Sequence, residues 1–376
     1  MQRPTVAVPL QFCWQPTPGG TGRAALELTA ALAEHGLADV VGVAPRHNRP
    51  TPGFEPAVPL VRVPQQRWLP ALPVPLLHSG WQATGRPSIE AALAASGHGP
   101  ADLVHLMAPI TPRRGTAPLV ATLHDVFPLR FPEAFSRRGV SMMTRGLRLL
   151  AERAEAVACS SEATASDAVA AGFDADRLRV IPLGVHVPPL SEGAVEEVRS
   201  RYGLTRPYVI SVGTLEPRKN LEALLPLGPE LDRRGVDLVL VGPTGWADVH
   251  AEVARAPSVR WLGFVPTADR DALLAGAEVA AQPSLAEGFG LPVLEAMARG
   301  TPVVTSAGTS TAEVAGDTAV LVDPRRGDEV REAVLAMLDE PARASELGEL
   351  ARARASEFTW ERCARATADM YAGVLG

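Results

Sequence analysis

Short apolar runs recur along the whole chain, and most are followed by a longer stretch whose apolar residues fall three or four apart. TVAVPL, ADVVGVA, ADLVHLM, PLVATLH, AVACS and RLRVIPL in the first half predict strands. PYVISVG, VDLVLVG, VRWLGFV, EVAAQPS, TPVVTS and TAVLVD predict strands in the second. Between them RAALELTAALAEHG, RGLRLLAERAE, LEALLPLG, RDALLAGA and PVLEAMARG carry helical spacing. Such alternation builds a parallel sheet with helices on its faces. The rhythm breaks near residues 186–206, where VPPL gives way to a polar helical stretch and Pro207 opens a fresh strand. The pattern therefore predicts an α/β protein of two doubly wound domains with a cleft between them. Open α/β sheets bind ligands beyond the carboxyl ends of their strands. SVG before Lys219 and AQPS before Glu287 both end strands, so both are expected to look into that cleft. The proline-rich stretch 50–75 reads as a long irregular loop of the first domain.

Composition narrows this reading. With 376 residues, 46% of them hydrophobic and 21% charged, the chain is globular. A net charge of −6 gives no reason to expect nucleic acid as a partner. The charge is uneven: residues 1–190 hold 17 Arg against 14 acids, and the remainder 19 basic residues against 28 acids. Cys13, Cys159 and Cys363 form neither a CxxC pair nor a disulfide framework, which fits a reducing compartment. The apolar start is broken by Pro9 and Gln11 and is too short for a secretory core, and no run has transmembrane length. A cytoplasmic placement is expected, with the inner membrane surface as the alternative.

Of the 36 basic residues, one is a lysine, Lys219, within GTLEPRKN and beside Arg218. An ammonium is a compact point charge where guanidinium is a planar fork. A lone lysine is weak evidence by itself. The richest segment is PSLAEGFGLPVLEAMARGTPVV, residues 283–304. Gly288 and Gly290 keep the backbone open, and Pro292 suits a first helical turn. Backbone N–H groups near Gly290 and Leu291 then form an anion site at a helix N-terminus. Glu287 and Glu295 can reach different parts of one ligand. An isolated EGFG would be read as a glycine turn with a capping acid.

Taken in order, these segments resemble the large family four of retaining glycosyltransferases, which have the GT-B fold, and within it the bacterial mannosyltransferase and rhamnosyltransferase branch. GTLEPRKN, VGPTGW, LGFVPTADRDALLAGAEV, PSLAEGFGLPVLEAMARGTPVV, GTSTAEVAGDTAVLVDP and FTWERCA match in the second domain. PTPGGTGRAALEL, TLHDVFPLRFP and SSEATASDAV occupy the expected places in the first. The resemblance implies residues 1–188 as an acceptor domain, 189–206 as a linker, 207–355 as the nucleotide-sugar donor domain, and 356–376 as a C-terminal helix crossing back to the N-terminal domain.

The resemblance also implies roles. Arg218 and Lys219 match the basic pair that holds the donor diphosphate, Glu295 the acid that grips the ribose, and Glu287 the acid beside the transferred sugar. His124 matches a histidine beside the reaction centre. Gly19, Gly20 and Gly22 match a glycine loop approaching donor and acceptor, and Gly288, Phe289, Gly290 and Leu291 complete the donor-binding set. The physics agrees with these roles. Breaking a sugar–diphosphate bond builds negative charge on the leaving phosphate, and fixed positive groups stabilise it most in the transition state.

Blander readings stand beside these. DAD (Asp174, Asp176) and DRD (Asp269, Asp271) match a bare metal-binding pattern, but a turn and a helix start explain both, and no metal or other cofactor is expected. His124 ends a buried strand, where a packed histidine is common, and His105 reads as structural or supporting. Ser160 and Ser161 precede a helix, where capping is the common role. Residues 130–153 carry six Arg and two Glu, which fits a solvated helix face as well as an acceptor or membrane-surface patch. Leu183 and His186 depart from the family pattern, which puts donor specificity in doubt.

The expected activity is metal-independent, retaining transfer of a hexose from a nucleotide diphosphate sugar, GDP-mannose being the best guess, to an acceptor hydroxyl. The acceptor class stays open among a glycan, a lipid-linked saccharide and a small molecule. Three rivals share the residues: a nucleotide-sugar epimerase or hydrolase, a phosphorylase with pyridoxal phosphate on Lys219, and a non-catalytic nucleotide-sugar-binding protein.

Overall fold

The computed structural model describes residues 3–10, 19–43, 74–86, 88–95, 99–112, 115–245, 249–256 and 258–376. The proline-rich stretch falls, up to residue 73, outside the described residues. The chain divides into two compact units, Met1–Gly184 with Thr359–Gly376, and Val185–Phe358.

The first unit runs β1 (Thr5–Pro9), α1 (Gly20–Glu34), β2 (Asp39–Val43), α2 (Val74–Thr84), α3 (Ile89–Ala95), β3 (Leu103–Leu106), β4 (Leu119–Leu123), α4 (Phe127–Arg130), α5 (Arg137–Arg153), β5 (Ala156–Cys159), α6 (Glu162–Ala170) and β6 (Leu178–Val180). Its six strands form one sheet in the order β2-β1-β3-β4-β5-β6, every pairing parallel. The second unit runs α7 (Ala194–Arg201), β7 (Tyr208–Val212), α8 (Gly228–Arg233), β8 (Asp237–Val241), α9 (Val249–Arg255), β9 (Val259–Trp261), α10 (Thr267–Ala275), β10 (Val279–Gln282), α11 (Leu291–Arg299), β11 (Val303–Ser306), α12 (Ser310–Ala315), β12 (Val320–Val322), α13 (Gly327–Asp339) and α14 (Pro341–Ala355). Its sheet is also parallel throughout, in the order β12-β11-β10-β7-β8-β9. The last helix, α15 (Trp360–Leu375), belongs to the first unit.

Each predicted strand forms. The central ones are buried on both faces, β4, β7, β8 and β10 along their whole length, which is why they read as unbroken apolar runs rather than alternating ones. One expected helix differs. LEALLPLG, Leu221–Gly228, forms two 3₁₀ turns, Leu221–Ala223 and Leu225–Leu227, before α8 starts. Pro226 has no N–H to give, so a continuous α-helix cannot run through it. The stretch expected as a linker, 189–206, contains α7, which packs on α10 within the second unit.

Both sheets reverse direction once. Counted within the second unit, the strand order is 3-2-1-4-5-6, with the switch between β7 and β10. A crevice opens at such a point because the connections leaving the two neighbouring strands turn to opposite faces. The loops after β7 and β10 carry GTLEPRKN and PSLAEGFG. Topology therefore brings together two motifs some 65 residues apart in the chain.

In the first unit α15 packs along α1 and reaches the sheet through one buried polar link. The Tyr371 hydroxyl lies 2.6 Å from His105 Nδ1, and His105 Nε2 lies 2.9 Å from Thr122 Oγ1. Burial, with the nearby His124 adding to it, lowers the His105 pKa to about 3, so the imidazole is neutral and serves as a structural connector. Gly184 passes so close to Thr359 and Trp360 that a Cβ would lie 2.3 Å from the Trp360 nitrogen. Tyr371→Phe should leave a buried ring nitrogen unsatisfied and destabilise the first unit by about 1–3 kcal/mol. Hydrogen exchange at the β3 and β4 amides during denaturant titration checks this, and unchanged protection would contradict it.

Candidate functional site

The loop leaving β7 is shaped by residues that most side chains could not replace. Gly213 has φ 155°, and a Cβ there would press to 3.0 Å from Lys219 Cε. Pro217–Lys219 forms a 3₁₀ turn that ends on Asn220 at φ 56°, the one non-glycine residue of positive φ among those described. Asparagine tolerates that conformation. Its side chain also uses it: Nδ2 donates to the Pro283 carbonyl at 2.9 Å and to the Pro324 carbonyl at 2.6 Å. The backbone joins in, with Leu285 N–H donating to the Arg218 carbonyl at 2.8 Å. The two switch-point loops are thus stitched together before any charge is counted.

At their junction sits Glu287. Its Oε1 accepts from Lys219 Nζ at 2.5 Å and from Ser284 Oγ at 2.8 Å. Its Oε2 accepts from Arg218 Nη1 at 2.9 Å. Arg218 Nη1 also donates to the Ala286 carbonyl, and its Nε donates to Glu216 at 2.8 Å. The Glu287 carbonyl is held by Ser310 Oγ at 2.7 Å. Lys219 is only 7% exposed. Burial alone would raise the Glu287 pKa, but the Lys219 and Arg218 charges and the hydrogen bonds from Lys219 and Ser284 outweigh it and hold the group at about 2. Lys219 moves below its ordinary value. Burial lowers it, Glu287 opposes that, and the neighbouring Arg218 adds to it. The carboxylate is firmly ionised and lies directly against the Lys219 nitrogen.

Two cations and two carboxylates balance within this cluster, so its use lies in direction rather than in excess charge. An ammonium has three donors, and Glu287 takes one from Lys219. Gly290, N-terminal to α11, has φ 106°, and a Cβ would meet Thr311 Cγ2 at 2.8 Å. That conformation sets the start of α11, where Leu291 and Pro292 open the helix. Phe289 is buried edge-on against Phe358 at 6.0 Å between ring centroids.

Glu295 lies one turn into α11, buried in a second ionic network. Arg270 Nε lies 3.3 Å from Glu295 Oε2, unaligned for a hydrogen bond, while Arg270 and Arg299 both reach Asp271. Asp269 accepts from Arg201 and from the Tyr202 hydroxyl. Both acids of DRD are therefore committed to arginines, and Asp174 of DAD caps its own turn by accepting from Asp176 N–H. Among the described residues no group of three or more His, Cys, Asp or Glu could hold a metal ion.

The first unit holds the other expected residues. His124 follows β4, and its carbonyl accepts from Ser160 Oγ at 3.3 Å and Thr164 Oγ1 at 3.0 Å. Burial lowers its pKa to about 4, leaving a neutral ring whose Nε2 has no hydrogen-bond partner among the described residues. Ser161 caps α6 by accepting from Thr164 N–H. Gly19 precedes α1, while Gly20 and Gly22 lie in its first turn. The expected glycine loop is therefore helical at those two positions, because Gly20 already opens α1. Residues 11–18 lie outside the described ones.

Sequence reasoning paired Lys219 with Arg218 but missed Asn220, Glu216, Ser284, Ser310 and Arg270. Asn220 alone left a signal, as a turn-forming residue directly after a Pro-led basic pair.

Two family descriptions match most of the chain: "Glycosyltransferase Family 4" over residues 18–187 and "Glycosyl transferases group 1" over residues 195–354. An Escherichia coli protein named O-antigen chain mannosyltransferase B is 33% identical over 264 residues, 67% of this chain and 69% of that protein. The chain belongs to glycosyltransferase family 4. A second family member, the MMP alpha-(1->4)-mannosyltransferase of Mycolicibacterium hassiacum, is 33% identical over 68% of this chain and 65% of its own length. The chain thus spans about two thirds of these relatives. Among solved structures, sucrose-phosphate synthase from Thermosynechococcus elongatus superposes with TM-score 0.79 at 22% identity over 99% of both chains. Anabaena HepE, solved in complex with UDP-glucose, does so with TM-score 0.76 at 20% identity over 99% of this chain and all of HepE. These likenesses carry the GT-B fold.

The Glu287 cluster makes a pH prediction for this family 4 chain. The Glu287 pKa is depressed in the folded state, so on acidification the unfolded chain takes up the proton first and stability falls from about pH 4.5 to about 2. Glu287→Gln should cost about 3 kcal/mol at pH 7, the lower end for removing one charge of a buried pair. That gap should shrink steadily below pH 4.5. Urea denaturation of both proteins at pH 7, 4 and 3 measures it, and a constant gap would rule out an ionised Glu287 clamp.

Proposed function

We propose that this protein is a retaining, metal-independent glycosyltransferase that moves a hexose from a nucleotide diphosphate sugar to an acceptor hydroxyl. The observation that carries the reading is the Glu287-held pair of Lys219 and Arg218 at the β7/β10 switch point. During transfer the bond between the anomeric carbon and the diphosphate oxygen breaks, and its electron pair goes to the phosphate. The acceptor oxygen bonds to the anomeric carbon and gives its proton to the departing phosphate oxygen. Charge grows on the leaving phosphate, where Lys219 still has donors to offer, and cations fixed in place need little reorganisation to meet it.

In this reading Arg218 and Lys219 hold the diphosphate beside the backbone of Gly288, Phe289, Gly290 and Leu291. Glu287 has two tasks, orienting the cations and facing the sugar. Glu295 takes the ribose hydroxyls, for which Arg270 must yield part of its contact. His124, with its neutral ring and unpartnered Nε2, is assigned to the reaction from the first unit, and Gly19, Gly20 and Gly22 to donor binding. Two relatives named as mannosyltransferases support mannose as the hexose and GDP-mannose as the first donor to try. HepE was solved with UDP-glucose, which makes that donor the natural comparison.

A thermal-shift screen of nucleotide sugars should give its largest rise with the true donor, because a ligand binding only the native state stabilises it. With that donor, Lys219→Ala should lose roughly 10²–10³-fold in kcat/KM. Lys219→Arg should not restore full activity, since a planar fork does not fit a point-charge site. Steady-state kinetics that find Lys219→Ala near wild type would remove the lysine from the mechanism. Glu295→Ala should act mainly on KM and Glu287→Ala mainly on kcat, and the reverse pattern would exchange their roles. Activity should persist in EDTA. Loss in EDTA with recovery on Mg²⁺ or Mn²⁺ would overturn metal independence. Formation of free sugar or an epimer without acceptor would mark a hydrolase or epimerase.

A further inference from the structure

Helix α5 holds arginines that nothing in the described structure neutralises. Most other arginines have partners: Arg130 pairs with Asp167 at 2.6 Å, Arg206 with Asp232 at 2.8 Å, and Arg153 donates to the Pro112 carbonyl. Arg137, Arg145 and Arg148 are exposed and make no ion pair or hydrogen bond among the described residues. They lie at helical spacing with Ser141 and Thr144, so all five side chains share one face of α5. That face lines an open groove of about 600 Å³ together with Pro132, Phe135 and Val140.

Without an anion this arrangement carries a small repulsion. Arg145 and Arg148 are three residues apart on a helix, where like charges repel. Arg137 opens the helix, at the positive end of the macrodipole, and the first turn contains no acid. A bound anion relieves both penalties at once. Guanidinium groups pair in forked geometry with phosphate oxygens, and hydroxyl groups add further donors. The concave shape suits a discrete molecule. A bilayer partner would call for apolar residues offered to lipid, and no large hydrophobic residue of 130–153 is among the exposed ones described.

We propose that this groove binds the phosphate or diphosphate group of a phosphorylated small molecule. That this molecule is the sugar acceptor rests on the glycosyltransferase reading above; the anion site itself does not. His124 precedes the groove by only a few residues of chain, through α4.

Calorimetry with inorganic pyrophosphate on the full chain tests the site, using wild type, Lys219→Ala, Arg145→Gln/Arg148→Gln, and the triple variant. Lys219→Ala weakens the donor-side diphosphate contact, so the binding lost between it and the triple variant should belong to the groove. The triple variant should bind pyrophosphate about tenfold or more weakly than Lys219→Ala, as expected for the loss of two charge-assisted contacts. Arg145→Gln/Arg148→Gln should bind nucleotide sugar like wild type. Pyrophosphate binding unchanged between Lys219→Ala and the triple variant overturns the groove. Sedimentation with phosphatidylglycerol vesicles, lost in Arg145→Gln/Arg148→Gln while pyrophosphate never binds, would overturn it in favour of a membrane face. Nucleotide-sugar affinity unaffected by Lys219→Ala would instead sink the donor assignment and leave the groove standing.

Discussion

One carboxylate sets the geometry around which the second unit's site is built. Glu287 uses both oxygens, one for Lys219 and Ser284 and the other for Arg218. Buried cations are tolerable only when paired, and the pairing here also aims them. Remove the acid, and two positive groups at the mouth of one crevice would repel each other. The loops around it are fastened accordingly, by Asn220 bridging two carbonyls and by Ser310 holding the Glu287 backbone.

That clamp depends in turn on strand order. Lys219 follows β7 and Glu287 follows β10, two strands adjacent in the sheet although β8 and β9 lie between them in the chain. The parallel pairing of β7 with β10, Val279 opposite Val209, places both exits at the same edge. The close backbone passage at Gly242, where a Cβ would lie 2.0 Å from the Gly213 carbonyl, keeps the β7 and β8 exits tightly apposed. Glycine is needed there because of a neighbour, beyond any freedom of its own backbone. The first unit relies on a neutral polar link instead. His105, Thr122 and Tyr371 tie α15 to the sheet without charge, and burial keeps the imidazole neutral.

Ionic networks in the second unit also engage the acids of a short acidic pattern. Asp269 and Asp271 satisfy a metal-like spacing, yet each is engaged by arginines from α7, α10 or α11. Spacing alone cannot report Arg201 and Arg299, because they come from helices distant in sequence. The same holds for Glu295, whose neighbour Arg270 sits on a different helix.

By itself the sequence determined the two-unit α/β architecture and the twelve strands it predicts, since strands buried on both faces must be continuous apolar runs. It also singled out Arg218, Lys219, Glu287 and Glu295, because they stand in ordered segments that resemble one family. Tertiary structure decided what those residues touch. Lys219 meets Glu287 because the sheet reverses at β7, a fact about strand order that no local pattern encodes. LEALLPLG became 3₁₀ turns because one proline outweighed helical spacing. Whether the arginines of α5 were a solvated face or a binding surface was equally undecidable from composition. Only the fold shows that three of them line a common groove to which no described residue offers a carboxylate.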